Sequence, residues 1–549
     1  MSTKNLKYLF RPQSVAVIGA STRPKAVGTL VMRNLLQGGF SGPIMPVNPV
    51  HQSVSGVLAY PDVSSLPVTP EMAVICTPPQ TVPEIMRDLA KRGTKAAIIL
   101  TAGLTRAQDA SGRTLQDVVL EIAHENEIRI LGPNCLGLIV PGIGLNASFA
   151  HQPALPGKIA FVSQSGAMCT VVLDWARPKG IGFSHFISLG DSADLDFGDV
   201  IDYLGSDPST RAILLYIESI RQRRNFMSAA RAAARNKPVL AIKAGRVAEG
   251  AKAAASHTGA LAGSDVVYDA AIRRAGMLRV NSFEELFAAV ETLHRARPLS
   301  GSRLAILTNG GGLGVMAVDH LVFDGGVPAQ LSGETVAKLN AVLPSTWSGS
   351  NPVDIIGDAP AERYVDAMKI LFEAPEVDAV ACIHAPTAIT SSTDVAEHIV
   401  RAMKENRSAN LMTCWVGEEM VAPARHLFED AGIPSYDTPE KAMRAFMHLV
   451  NYRKNQELLM ETPPSAPVEF TPNVSVARLI VENSRASGSD MMSEPEAKAV
   501  LSAFGIPTIE THIARTPADA GRIAREMGGR AALKILSMDI SHKSDVGGG

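Results

Sequence analysis

Ile159-Ala160-Phe161-Val162-Ser163-Gln164-Ser165-Gly166-Ala167-Met168-Cys169-Thr170-Val171-Val172-Leu173-Asp174 returns without a gap as Leu304-Ala305-Ile306-Leu307-Thr308-Asn309-Gly310-Gly311-Gly312-Leu313-Gly314-Val315-Met316-Ala317-Val318-Asp319. Each copy reads as an apolar strand, a hydroxyl residue, an amide residue, a small or glycine pair, and then a helix. A strand feeding directly into a helix is the unit of a parallel α/β sheet. Its recurrence marks an internal repeat. Both copies continue in the same alternation, with apolar runs at Ala212–Ile217 and Pro238–Lys243, then at Ala379–Ile383 and Asn410–Trp415. Two tandem flavodoxin-like subdomains are expected, at 157–297 and 300–458.

Residues 1–145 alternate in the same way. Strands are expected at Ser14–Gly19, Pro43–Val47, Met72–Thr77, Ala96–Thr101 and Arg129–Leu131, with helices at Thr81–Arg92 and Leu115–Asn126. The pattern predicts a Rossmann-like, doubly wound α/β domain whose ligand sits at the carboxyl ends of the strands. The unusual residues collect there: Gly19, Ala20 and Ser21; Pro46 and Asn48; Cys76, Thr77 and Pro78; Thr101; and Asn134. A nicotinamide cofactor is disfavoured. The first turn, Gly19-Ala20-Ser21-Thr22-Arg23-Pro24-Lys25, is not GxGxxG, and Asn48 stands where an acid would hold the ribose. Ser21, Arg23 and Lys25 suit a phosphorylated nucleotide better, since cations and helix N-terminal amides hold phosphate.

The repeat carries chemistry. Ser163, Gln164, Ser165 and Gly166 open one helix and Gly310, Gly311 and Gly312 the other. Small residues at a helix start let an anion approach the bare backbone N–H groups. Taken singly, each turn also serves tight strand–helix packing. Between the two copies lies Ala253-Ala254-Ala255-Ser256-His257-Thr258-Gly259-Ala260-Leu261-Ala262-Gly263, a histidine among small residues. Taken alone, it is a loop with an incidental histidine. Together with two glycine-rich helix starts, it points to an imidazole that takes up and hands on a phosphoryl group. Glu218, after the strand Ala212–Ile217, is a candidate to hold the other imidazole nitrogen; the alternative is a surface charge at a strand end.

The chain has 549 residues, enough for roughly three to four domains. A net charge of -2 gives no case for nucleic acid or an anionic membrane as partner. Five scattered cysteines (Cys76, Cys135, Cys169, Cys382 and Cys414) show no zinc spacing and read as reduced thiols, so no metal site is expected among them. No signal peptide or membrane-spanning run is visible, so a cytoplasmic protein is expected. A polar, proline-rich stretch at 459–473 reads as a linker. After it come a helix at Val474–Asn483, a helix start at Ser493–Lys498, and a strand at Ala531–Ile535 containing Lys534. Such a lysine either blocks an edge or places an ammonium over nucleotide phosphates. About 75 residues after the linker is short of a typical domain, so the start of a larger one is expected at 474–549.

At these positions the chain resembles the ADP-forming acyl-CoA synthetases, relatives of succinyl-CoA synthetase. The likeness lies in Ser14–Ser21, Gly132–Gly137, Ser163–Gly166, Ser256–Gly259, Thr308–Gly312, and an ATP-grasp opening at Glu494–Pro507 with Ala532-Leu533-Lys534. It implies that the first domain binds coenzyme A through Gly19, Ala20, Ser21, Lys25, Pro46, Asn48, Cys76, Thr77, Pro78, Thr101 and Asn134. His257 would be the phosphohistidine, Glu218 its orienting acid, Ser163–Gly166 and Gly310–Gly312 the phosphate-holding helix starts, and Lys534 a contact to ATP or ADP. Mg²⁺ is expected with the nucleotide, at acids lying beyond Gly549, and a homo-oligomer is expected. Gly144–Phe149, Leu189–Ser192 and Tyr452–Gln456 also resemble bacterial proteins that fuse this region to a GNAT-type protein acetyltransferase. That likeness implies an alternative, an acetyl-CoA-sensing regulatory region.

Overall fold

A computed structural model describes residues 3–252, 264–406, 409–461, 471–488 and 491–537. The chain divides into two units, Met1–Met460 and Glu461–Gly549.

Among the described residues, three large sheets and a two-stranded one, Ser53–Val54 with Val57–Leu58, build the first unit, and the parallel strands of the three large sheets share one order. The first sheet runs Ile44–Val47, Val15–Ile18, Met72–Ile75, Ala96–Ile99, Arg129–Leu131. Numbered along the chain, that is 2-1-3-4-5. In the second sheet, Gly182–Ser188, Leu155–Ser163, Ala212–Ile217, Val239–Lys243 and Leu278–Val280 repeat it. In the third, Val327–Pro328, Arg303–Thr308, Ala379–His384, Leu411–Trp415 and Ser435–Tyr436 repeat it again, and the short Val353–Asp354 pairs with Leu307 and Thr308. Each sheet therefore changes direction between its first and third strands. Helices leave on opposite faces there, opening a crevice at the carboxyl ends.

The core explains why these runs are strands. Val15–Ile18, Met72–Ile75 and Ala96–Ile99 are buried at every position, as strands covered on both faces must be. Ser165 caps the helix Gly166–Ala176 by accepting from Met168 N at 3.4 Å.

Several strands were not anticipated by the sequence reading, and two of them join the sheets. Gly137–Val140 and Leu145–Ser148 form an antiparallel hairpin that joins the second sheet, through Phe186 to Ile139 and Ile187 to Leu138. Buried Asn34, on the helix Val27–Gly38 of the first sheet, donates to Ser148 O and Ala150 O, both at 2.9 Å. Arg129 pairs with Asp194 and Asp199 at 3.1 and 3.3 Å. The first two sheets thus share one core, in which Leu35, Leu138, Phe197 and Ile213 pack together.

The second unit carries helices Val474–Ala486, Glu494–Ala503 and Pro517–Glu526. Its first helix runs on past Asn483, where the sequence reading ended it, to Ala486. The expected strand at Ala531–Ile535 is absent, because no strand among this unit's described residues is there to pair with it.

Candidate functional site

Each crevice is closed by a contact that its sequence anticipates only in part. At the first, Gly19 has φ of +86°, and a Cβ there would lie 2.8 Å from Thr77 Cγ2. Gly28 opens the following helix so near that turn that a Cβ would lie 2.1 Å from Gly19 O. Only glycine fits both positions. Ser21 Oγ accepts from Arg23 N at 3.1 Å, and Lys25, at φ +65°, is exposed. Ala20 is buried beneath the turn. Thr101 Oγ1 donates to Thr77 O at 2.7 Å. Burial pushes the Cys76 thiol up to about 12, so it is neutral. Pro78 precedes the turn Pro79–Thr81.

Two members of this set sit differently from the strand-end placement the sequence suggested. Pro46 is buried inside the strand Ile44–Val47, opposite Val17; an edge strand tolerates it because its missing N–H is not needed by the ladder. Asn48 spends its amide on the protein. Its Nδ2 donates to Ala20 O at 2.7 Å, and its Oδ1 accepts from Val50 N and His51 N at 2.8 and 2.9 Å. It shapes the turn.

The second crevice is a cleft of about 390 Å³. Gln164, Ser165, Gly166, Ala167 and Thr170 form its helix-start wall; Glu218, Ser219 and Arg221 come from the loop after Ala212–Ile217. Asn134, Gly190 and Asp191 face them, and Leu100, Cys135, Leu136 and Phe149 supply an apolar side. Ser163 lies beneath. Its Oγ accepts from Ser165 N at 3.1 Å and donates to Ser165 O at 2.9 Å, fixing the turn. Gln164 Oε1 accepts from Glu218 N at 2.7 Å and from Ser219 N at 2.9 Å, tying the helix start to the acid's loop. A Cβ on Gly166 would meet nothing closer than 3.8 Å, so space is open above this helix start. Bare N–H groups and the helix dipole favour an anion there.

Asn134 links the first two sheets. Its N–H donates to Thr101 O at 3.1 Å, and its Nδ2 donates to Asp191 Oδ1 at 3.1 Å. Burial raises the Asp191 pKa, while the Asn134 hydrogen bond and the Arg221 charge pull it down. Lys243, paired with Ile217 across the sheet, is buried with its Nζ 4.6 Å over the Tyr268 ring; burial lowers its pKa, and the Asp265 and Glu218 charges oppose that. The sequence analysis gave no role to Asp191, Arg221, Lys243, Leu136 or Phe149. The one available signal was Gly190-Asp191 at the carboxyl end of Gly182–Ser188.

The third crevice repeats the hydroxyl and amide bonds of the second, without the Ser165 cap and without a counterpart to the Ser219 N–H bond. Thr308 Oγ1 accepts from Gly310 N at 3.0 Å and donates to Gly310 O at 3.2 Å. Asn309 Oδ1 accepts from Ala385 N at 2.8 Å. Ala385 thus takes the place that Glu218 holds in the second sheet. Gly310, Gly311 and Gly312 do not line the cleft. Asp354 stands at their helix start, where a Cβ on Gly311 would lie 2.6 Å from its Oδ2.

His257 lies outside the described residues. In the second unit Lys534 is half-exposed, 3.6 Å from Glu494 Oε1. Among the described residues, no three His, Cys, Asp or Glu side chains gather as metal ligands.

The chain matches family models for a CoA binding domain at residues 13–141 and a succinyl-CoA ligase like flavodoxin domain at 156–293. It also matches a Ligase-CoA domain at 304–452 and an ATP-grasp domain at 483–548. It is 38% identical over 543 residues to acetate–CoA ligase [ADP-forming] I of Archaeoglobus fulgidus, covering 99% of this chain and 77% of the relative. To 4-hydroxybutyrate–CoA ligase [ADP-forming] of Nitrosopumilus maritimus it is 32% identical, covering 98% and 77%. Among solved structures it is similar to the dinucleotide forming acetyl-coenzyme A synthetase 1 of Ca. Korarchaeum cryptofilum in complex with phosphate and ADP. That match has a TM-score of 0.73 and 35% identity, over 83% of this chain and 98% of that one. The two ligase-domain models and the ADP-forming ligase relatives lend no support to an acetyltransferase regulator.

Proposed function

Because the chain belongs to the family of ADP-forming acyl-CoA ligases, we propose that it works through an acyl phosphate and a phosphohistidine. The overall reaction is acyl-CoA + ADP + phosphate ⇌ carboxylic acid + ATP + CoA. The observation that supports this route most is the single cleft in which a capped, open helix start, Ser165–Gly166, faces Glu218 and adjoins Asn134, whose N–H binds Thr101 of the CoA-type sheet.

In this reading coenzyme A lies along the strand ends at Gly19–Ser21, Lys25 and Cys76–Pro78, and its thioester reaches the cleft past Thr101 and Asn134. A phosphate oxygen attacks the thioester carbon and the C–S bond breaks, giving acyl phosphate and CoA. The helix start at Ser165–Gly166 neutralises charge on the phosphate without needing to reorganise. His257 then attacks phosphorus and the carboxylate leaves. Glu218, pinned by Gln164, holds the other imidazole nitrogen. The phosphoryl group passes from His257 to ADP, which Lys534 contacts. Gly310–Gly312 are the second helix start for this group, where it would share space with Asp354. Mg²⁺ bound with the nucleotide would neutralise charge on its phosphates.

A homo-oligomer is part of the proposal, supported by Val315, Met316, Val322 and Phe323 exposed on the helix Gly311–Phe323. A cytoplasmic setting is supported by five unpaired cysteines and by the absence, among the described residues, of a helix long and apolar enough to cross a membrane. The test is release of free thiol from acetyl-CoA, with and without phosphate. Release that depends on phosphate is the expected result. Release at the same rate without phosphate overturns the route.

A further inference from the structure

The proposed route leaves one proton unassigned. When phosphate cleaves the thioester, HPO₄²⁻ loses a proton and the departing sulfur gains one. Their sum, acyl-SCoA + HPO₄²⁻ → acyl-OPO₃²⁻ + CoA-SH, balances without any outside acid or base. Something between the two atoms must move that proton. Glu218 is committed to the histidine in this reading.

Asp191 is the other carboxyl in the cleft, and the fold takes pains to place it. Its loop is strapped to the turn before the hairpin, with Asp191 N donating to Pro133 O at 2.9 Å and Ala193 N to Gly132 O at 3.0 Å. Gly190 and Ser192 flank it with φ of +57° and +50°, a left-handed conformation costly for serine. A Cβ on Gly190 would lie 2.3 Å from Pro133 O, so no other residue lets the loop approach this closely. Asn134, itself at φ +55°, then holds Oδ1 at 3.1 Å. Among the described residues no hydrogen bond reaches Oδ2, which leaves it for a ligand. The opposite wall is the phosphate-holding helix start, and the link from Asn134 to Thr101 marks the side on which the thioester enters.

We propose that Asp191 is a catalytic residue, the relay that takes the proton from the attacking phosphate through its free oxygen and delivers it to the sulfur of coenzyme A. In the reverse direction the same carboxylate takes the thiol proton as sulfur attacks the acyl phosphate. The proposal rests on the acyl phosphate route. The charged and titratable groups around Asp191 agree with it. Arg221 faces it from the loop after Ala212–Ile217, Glu218 stands on that same loop, and Cys135, from the adjoining turn, is kept neutral by burial. Burial raises the Asp191 pKa toward the range in which a carboxyl both accepts and gives a proton.

The experiment uses the full chain, acetyl-CoA and arsenate, with free thiol followed by a colorimetric reagent. Acyl arsenates hydrolyse spontaneously, so turnover needs neither His257 nor ADP. For Asp191→Asn the expected result is a fall in kcat of about 10²-fold, with KM for acetyl-CoA changed less than about threefold. The acid limb that remains in the wild-type pH profile at saturating arsenate dianion, where a protonated Asp191 no longer accepts, should vanish in this variant. Asp191→Glu should restore part of the rate, and its melting temperature serves as the folding control. A kcat within twofold of wild type, an effect confined to KM, or an unchanged acid limb overturns the relay. Absence of arsenate- or phosphate-dependent thiol release in the wild type instead overturns the acyl phosphate route itself.

Discussion

Gln164 holds the backbone of Glu218: its Oε1 accepts the Glu218 N–H at 2.7 Å, and Asn309 does the same for Ala385 at 2.8 Å in the third sheet. The duplicated turn is therefore one device used twice, an amide side chain that stitches the first strand's end to the third's across the crevice. Only the first copy has an acid on the stitched residue. That asymmetry is the reason the proposed chemistry is assigned to the second sheet.

Gln164→Ala should separate positioning from folding. The change leaves two N–H groups, on Glu218 and Ser219, without their acceptor, costing about 1–3 kcal/mol. Phosphorylation of the enzyme should slow by about tenfold or more, while Gln164→Glu, which keeps an acceptor, should lose less. Equal phosphorylation rates in Gln164→Ala and wild type would show that the stitch is structural alone.

The first crevice should take coenzyme A and refuse NAD. Calorimetry on the full chain should give a binding isotherm for CoA and none for NAD. In Gly28→Ala the added Cβ lies 2.1 Å from Gly19 O, a backbone atom that cannot step aside. The turn must shift, and CoA affinity should fall about tenfold or more, with about 1–3 kcal/mol lost in stability. NAD binding without CoA binding contradicts the reading of this turn.

Much of this was legible in the sequence, and the failures have physical causes. The repeat gave the strand–turn–helix pairs because fully buried strands and small-residue helix starts leave a strong pattern. The hairpin Gly137–Ser148 escaped because two four-residue strands around Pro141 and Gly144 carry too little periodicity, and what makes them strands is pairing with distant Phe186 and Ile187. For Asn48, placed with the coenzyme A set, strand-end position says nothing about where an amide's hydrogen bonds go, and they go to Ala20, Val50 and His51. Asp191 was passed over for the complementary reason. Its meaning comes from Asn134 and Pro133, far away in the chain and brought near only by the joined core.

Stability should fall on mild acidification. His185, His384 and His448 are held neutral by burial, each with its pKa lowered to about 4. His384 sits between Tyr364 Oη and Ser392 Oγ at 2.8 and 2.9 Å. The unfolded chain protonates these histidines near 6.5, so between 6.5 and 4 it binds more protons than the fold. Their contribution is complete above pH 6.5 and drains away as pH falls toward 4. The melting temperature at pH 5.0 should lie several degrees below that at pH 7.5; equal values would contradict this.

Asn34→Ala tests the clasp between the first two sheets. Two carbonyls, on Ser148 and Ala150, lose their donor in a buried place. A loss of about 2 kcal/mol in chemical denaturation is expected, against a few tenths for an exposed asparagine.

Phosphorylation of His257 is the most direct measurement. The full chain is mixed with acetyl-CoA and labelled phosphate, and the trapped protein is treated with acid or base. The expected label survives base, is lost in acid, is absent from His257→Ala, and is much reduced in Glu218→Gln. Equal labelling of His257→Ala, or phosphate-dependent thiol release with no labelled wild-type protein, would contradict a phosphohistidine at this position.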